Sequence, residues 1–311
     1  MKKILITGAS GFIGKYTVKM ARKRGHDVIA VVRNPESIPP EWADDQKIAP
    51  LVADLANGPA PFPKVDAVIH VAASLSSNPA RQQRDTHSAT KGLIEAIQGQ
   101  PILVLVSSIA VYPANALHID ESCPVEPTPT LRDTYCQSKI AQEALVQRLY
   151  SGPIHIMRPG AVFGPSRLWN SHIGVGLGPI LVRLSKHGTV PTCYVEHCAQ
   201  ALVIAAEQSG LQNDITNVID DDRPTRADFL HTMQTTNWPR IIIPFSWKLL
   251  LALAHILPQS LPLPGILRPA TLRARYQSVT YDTQKLHAMG WKQTHSFEKA
   301  FAESGGSDDR S

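Results

Sequence analysis

Short β-branched apolar runs alternate with helix-periodic stretches through the first half of the chain. Lys3 to Thr7 reads as a strand, about Phe12 to Arg24 as a helix, and Asp27 to Val32 as the next strand. Apolar runs at Ile48 to Val52, Ala67 to Val71, Ile102 to Ser107 and Ile154 to Arg158 continue the series, with helical segments between most of them. This alternation predicts an α/β fold: a doubly wound parallel sheet of Rossmann type with helices on both faces.

After Arg158 the pattern degrades into Gly- and Pro-rich loops. Helices are expected around Ile180 to Lys186, across Val195 to Glu207 and over Pro224 to Thr236, and Ile215 to Ile219 reads as a strand returning to the sheet. The expected organisation is a first domain over residues 1–159 with its returning strand near 214–219. A smaller, discontinuous region spans 160–213 and 220–303, and a disordered tail covers 304–311. The most apolar stretch, Ile241 to Leu257, is interrupted by Pro244, Lys248 and His255, which makes it short for a membrane span. A buried or substrate-covering helix is the preferred reading, and a peripheral membrane contact the alternative.

Composition narrows the class. Hydrophobic residues make up 43% of 311, so a globular protein with a substantial core is expected. The net charge of +5 comes from scattered residues apart from a cluster at Lys19 to Arg24, which reads as a solvated helix face rather than a nucleic-acid site. The N-terminus runs straight into a strand without the features of a signal peptide, so a cytoplasmic protein is expected, with Cys123, Cys136, Cys193 and Cys198 as reduced thiols. His197 beside Cys193 and Cys198 has no second ligand cluster, so no metal is expected.

Thr7-Gly8-Ala9-Ser10-Gly11-Phe12-Ile13-Gly14 follows a strand and opens a helix, the context a dinucleotide-phosphate turn requires. Gly8 permits the tight turn, Gly11 lets backbone approach a pyrophosphate, and Gly14 lets helix and strand pack closely. The helix N-terminus offers free amides and a favourable dipole to the anion. At the end of the second strand, Val32-Arg33-Asn34 presents a cation suited to a 2′-phosphate rather than a carboxylate for ribose hydroxyls, so NADP is preferred over NAD. Asp54, after the third strand, either meets the adenine edge or starts a turn.

Tyr135 and Lys139 stand four apart on a predicted helix, hence on one face. The cation favours phenolate and would lower a pKa normally near 10 toward the range of a general acid/base. The spacing alone is weak, as a second copy at Tyr281 and Lys285 shows. Context separates the two, because Ser107-Ser108 ends a strongly apolar strand upstream of Tyr135, at the carboxyl edge where parallel sheets bind ligands.

With these motifs, and with Ser107-Ser108-x-x-Val111-Tyr112 and Arg158-Pro159-x-x-Val162-Phe163-Gly164-Pro165, the chain resembles the extended short-chain dehydrogenase/reductases, the NAD-dependent epimerase/dehydratase group, over nearly its whole length. The resemblance implies that Ser108 hydrogen-bonds the substrate oxygen and that Lys139 also holds the nicotinamide ribose. The cofactor set is expected to comprise Thr7, Gly8, Ser10, Gly11, Phe12, Ile13, Gly14, Arg33, Asn34, Asp54, Leu55, Val71, Ala72, Ala73, Ser107, Tyr135, Lys139 and Pro159. Sugar-nucleotide enzymes of the group usually carry Asn where Ala161 stands and an Arg-Asp pair near Thr192-Cys193, and a frequent Asn of the fourth helix is replaced by Thr86. Arg33 and the Arg158-Pro159-Gly160 run look closer to the dihydroflavonol-reductase and 3β-hydroxysteroid-dehydrogenase branch.

The resulting expectation is reversible hydride transfer between nicotinamide and a mainly apolar ketone or alcohol, with Tyr135 as acid/base, Ser108 at the oxyanion and Lys139 on tyrosine and ribose. Trp169, Leu177, Ile180, Trp247 and Leu250 to Leu253 are expected to line the substrate pocket. The rivals are a sugar-nucleotide epimerase with bound NAD and a non-catalytic NADP-sensing regulator. A homodimer through sheet-flanking helices would be usual for the family.

Overall fold

The computed structural model describes residues 1–58, 62–72, 78–169, 171–210, 213–258 and 263–305. Strand β1 (Lys3–Thr7) lies inside a parallel sheet, between β2 (Asp27–Val32) and β4 (Ala67–His70). Beyond β2 comes β3 (Ile48–Val52); beyond β4 come β5 (Ile102–Val106), β7 (Ile154–Pro159) and β12 (Asp214–Val218), which makes seven strands among the described residues.

The strands are apolar on both faces because both faces are covered. Ile4 and Ile6 pack beneath α1 (Phe12–Lys23) and α4 (Val195–Glu207), whereas Leu5 faces α2 (Pro79–Ala96) and α3 (Thr134–Leu149). Each of these buried aliphatic side chains contributes about 1.5–3 kcal/mol relative to exposure. Strand order reverses between β1 and β4, so the crevice past their carboxyl ends is where a ligand of this fold sits.

Beside the central sheet, the described residues of the second region, together with β6 (His118–Ile119) from the first, form three small sheets. β8 (Ala161–Phe163) pairs with β11 (Thr192–Tyr194), and β6 with β14 (Thr280–Tyr281). β9 (Gly174–Leu177), β10 (Ile180–Arg183) and β13 (Ile241–Pro244) form the third. Helices α5 (Arg226–Gln234), α6 (Trp247–Ile256), α7 (Pro269–Tyr276), α8 (Gln284–Ala288) and α9 (Phe297–Gly305) complete it.

Four expectations change. Ile180 to Lys186 is not a helix: Gly178, at φ 56°, and Pro179 turn the chain so that Ile180 pairs with Leu177 in a hairpin. Ile241 to Leu257 is not one buried helix but strand β13, ended by Pro244, followed by α6, and much of it is exposed. Helix α4, inside the 160–213 segment, packs with α1 against the central sheet instead of standing apart. Finally, Ser304 is no part of a disordered tail, because it is buried in α9 and donates to the Ala300 carbonyl at 2.6 Å; residues 306–311 lie outside the described residues.

Candidate active site

The glycine turn has the expected shape. Gly8 sits at φ 65°, and a Cβ there would lie 2.9 Å from the Ala72 backbone; one on Gly14 would lie 2.0 Å from the Gly8 carbonyl oxygen. Gly11 begins α1 without a side-chain cap, and no acidic residue occupies the first turn. Free amides, absent carboxylates and a cradle that side chains would fill suit a pyrophosphate. The loop after β2 closes against this turn, with the Ser10 hydroxyl 3.2 Å from that of Ser37, which in turn donates to the Asn34 carbonyl at 2.7 Å. Arg33 is exposed there and has no carboxylate partner among the described residues.

Other expected cofactor residues divide. Asp54 is exposed and caps a short turn, accepting from Ala56 N at 3.1 Å and Asn57 Nδ2 at 2.9 Å. Leu55 has its side chain in the core, and its carbonyl lies against Gly92 of α2. Val71 packs on the core, Ala72 N donates to Thr7 Oγ1 at 3.3 Å, and Ala73 lies outside the described residues. Phe12 and Ile13 pack toward the second region's core, and Pro159 is buried at the end of β7.

The carboxyl end of β5 and the start of α3 bring Ser108 and Tyr135 to one cavity of about 340 Å³, also lined by Tyr112, Ala161, Trp169, His172, Arg275 and Tyr281. Asp133 fixes the start of α3 by accepting from Cys136 N at 3.0 Å. Residue Tyr135 is 38% exposed, yet its hydroxyl end is desolvated, which raises the phenol pKa; the Ser108 hydroxyl partly offsets this. Lys139 is buried, and its Nζ donates to the Val106 carbonyl at 2.7 Å and to Gln142 Oε1 at 3.0 Å. Desolvation pushes the ammonium down to about 8. The expected lowering of the phenol by this cation is not what the structure shows, because the ammonium is turned to a carbonyl and an amide and the phenol is raised.

His70, Thr90, Gln142 and Glu143, which sequence reasoning passed over, hold this arrangement. Thr7 Oγ1, His70, Thr90 and Gln142 form a buried hydrogen-bonded chain, at 2.7, 3.0 and 3.0 Å in turn, from the glycine-turn strand to Lys139. Its members come from β1, β4, α2 and α3, so no local motif marks it. Glu143 accepts from Arg158 Nε at 3.0 Å and NH2 at 2.7 Å and also from the Ser107 hydroxyl, tying α3 to β7 and β5. Ser107 is thus a structural partner of Glu143. Thr86 is buried, and its carbonyl accepts from the Thr90 hydroxyl at 2.8 Å.

The second Tyr-x-x-x-Lys pair comes apart: Tyr281 on β14 lines the cavity, while Lys285 on α8 pairs with Asp214. Cys193 is sealed in the main core, so its position cannot serve a ligand in the cavity, whereas Ala161 does line it. Of the expected substrate lining, Trp169 is present; Leu177, Ile180, Trp247 and Leu250 to Leu253 are not. His197 is engaged by Asp220 at 2.9 Å and accepts from Thr294 N and His295 N at 3.1 and 3.2 Å, which leaves its ring without a free nitrogen.

A family model described as the NAD dependent epimerase/dehydratase family matches residues 4–218. The chain belongs to that family. Among its curated relatives, the epimerase family protein SDR39U1 of Bos taurus is 24% identical over 251 residues, covering 75% of this chain and 80% of that protein. A 3-beta-hydroxysteroid dehydrogenase of Mycolicibacterium neoaurum is 25% identical over 229 residues, 66% of this chain and 61% of that one. Human SDR39U1, solved with NADPH, superposes with a TM-score of 0.64 at 23% identity over 99% of this chain and all of its own. MoeE5, solved with UDP-glucose and NAD, gives 0.69 at 18% identity over 99% of both chains. These solved relatives share the fold, and both nicotinamide dinucleotides occur among them.

Proposed function

We propose that this family member is an NADP-preferring oxidoreductase acting on a mainly apolar ketone or alcohol, with Tyr135 as general acid/base. The observation that carries the reading is the state of the charges around the cavity. Its lining guanidinium groups are already engaged: Arg132 pairs with Glu126 at 3.4 Å and donates to the Tyr112 and Ala110 carbonyls, its Nε being buried without a partner among the described residues, and Arg275 pairs with Asp133 at 2.7 Å. A substrate diphosphate needs uncommitted donors, and burying one without them is costly. A neutral carbonyl compound needs only the hydroxyl pair.

When bound, the nicotinamide supplies or accepts a hydride. A phenol raised by desolvation stays protonated at neutral pH and is ready to donate to a carbonyl oxygen. Ser108, capping the turn that follows β5, offers its hydroxyl to the same oxygen as charge develops. Lys139, held by Val106 and Gln142, is the residue suited to the nicotinamide ribose, and Arg33 the one suited to a 2′-phosphate. The test is NADPH oxidation against hydrophobic carbonyls by wild type and Tyr135→Phe. Loss of most turnover with cofactor binding kept supports the reading. Stoichiometric co-purified NAD with micromolar UDP-sugar binding would replace it with the epimerase, and tight NADPH binding without any turnover with the sensor.

A further inference from the structure

Helix α6 is apolar on both sides. Its inner stripe, with Trp247, Leu250 and Ala254, packs on Leu184, Leu272 and Tyr276. Its outer stripe, Leu249, Leu253 and Ile256, is 52, 49 and 79% exposed at i, i+4, i+7 spacing. The preceding strand extends this surface. Ile242 packs into the core around Phe229, so Ile241 and Ile243, 52 and 48% exposed, stand on the opposite face, the one where Val182 of the neighbouring strand meets the α6 cluster. A helix with two apolar faces needs an apolar phase against each, and the fold supplies only one.

Charge identifies the second phase. Residues 174–183 and 240–276, which contribute β9, β10, β13, α6 and α7, carry Arg183, Arg240, Lys248, Arg268, Arg273 and Arg275 and no carboxylate, and of these Arg275 is paired with Asp133. Arg240 before β13 and Lys248 in the first turn of α6 are exposed and have no carboxylate partner among the described residues. An apolar stripe rimmed by cations alone is complementary to acyl chains beneath anionic headgroups. A second copy meeting this face about a two-fold axis would set the same cations against themselves.

We propose that the α6–β13 face docks the protein onto an anionic lipid surface, lying in the interface. Among the described residues no helix is long and apolar enough to cross a membrane. Helix α7 links this face to the cavity, since its Leu272 and Tyr276 pack with α6 while its Ala274 and Arg275 line the cavity. Docking therefore sets the α7 wall of the site beside the bilayer, where apolar ketones and alcohols concentrate. That consequence rests on the reductase reading; the docking itself does not.

The experiment is co-sedimentation of the full chain with vesicles of phosphatidylcholine alone or with one third phosphatidylglycerol, alongside NADPH turnover of a water-soluble carbonyl. Binding to the phosphatidylglycerol vesicles is expected, weakened by 0.5 M salt and reduced about 5-fold or more for each charge changed in Arg240→Glu/Lys248→Glu. Leu249→Ser/Leu253→Ser should abolish it, with both double variants keeping wild-type circular dichroism and turnover. Absence of binding to the anionic vesicles, binding indifferent to both double variants, or a concentration-dependent dimer that Leu249→Ser/Leu253→Ser dissolves would each overturn the proposal. Vesicle binding without turnover would remove the reductase reading alone, and turnover without vesicle binding the docking alone.

Discussion

The buried Glu143–Arg158 pair offers a sharp perturbation of both stability and the site. Side chains of the two are 4 and 2% exposed, and the guanidinium rests over the Tyr112 ring at 4.7 Å. Glu143→Gln keeps the shape but leaves the Arg158 cation without its counter-charge in the interior. Breaking one side of a buried pair costs about 3–5 kcal/mol, which lowers the melting temperature by roughly 6–15 °C at a few degrees per kcal/mol. Arg158 Nη1 is already without a hydrogen-bond partner among the described residues. Replacing both, as Glu143→Leu/Arg158→Met, removes the uncompensated charge along with its cause. The double variant should therefore be more stable than Glu143→Gln, with a coupling of about 2–3 kcal/mol in a double-mutant cycle completed by the single Leu and Met variants. Urea unfolding followed by circular dichroism measures all of them. If the double change cost the sum of its single changes, the pair would be energetically independent and its role in fixing α3 would fall.

Gly14→Ala should abolish dinucleotide binding while leaving a folded protein of reduced stability, because its Cβ meets the Gly8 carbonyl oxygen that shapes the turn; calorimetric titration with NADPH checks this. Arg33→Ala should weaken NADP binding by about 10- to 100-fold, the worth of one charge-assisted contact of about 1.5–3 kcal/mol, and leave NAD unchanged; equal NADP affinity in both proteins would remove the preference. His70 and His155, both 1% exposed, are pushed by burial down to about 3 and about 4. Their folded pKa values lie below the unfolded value near 6.5, so the unfolded chain takes up protons first, and stability held above pH 6.5 is lost as pH falls toward 4. Each contributes up to about 1.4 kcal/mol per pH unit, and His155→Gln should flatten the decline in urea midpoint between pH 7 and 5.

The central sheet, the glycine turn and the Ser108–Tyr135 pairing were legible in the sequence because their signals are local. β-Branched runs bounded by turn residues, and glycines at positions where a Cβ would strike Ala72 or Gly8, announce themselves within a dozen residues. The error at Ile180–Arg183 has the opposite origin: three apolar residues followed by an arginine carry no period, and pairing with β9 and β13 decided them. The pairs of Arg132 with Glu126 and of Arg275 with Asp133 carry no such local signal, because the fold brings the partners together.

By itself, then, the sequence determined the doubly wound α/β frame and the tight glycine turn, and it marked Ser108 and Tyr135, which the fold brings to one cavity. Tertiary structure alone decided where Lys139 points, because its ammonium answers to the Val106 carbonyl from β5 and to Gln142, itself held by Thr90 of α2. It likewise decided that the apolar run after Arg240 faces outward, since burial depends on which surfaces remain after β10 and α7 have taken the inner side of α6. Hydrophobicity is written in the residues; whether water or protein meets them is a property of the packed whole.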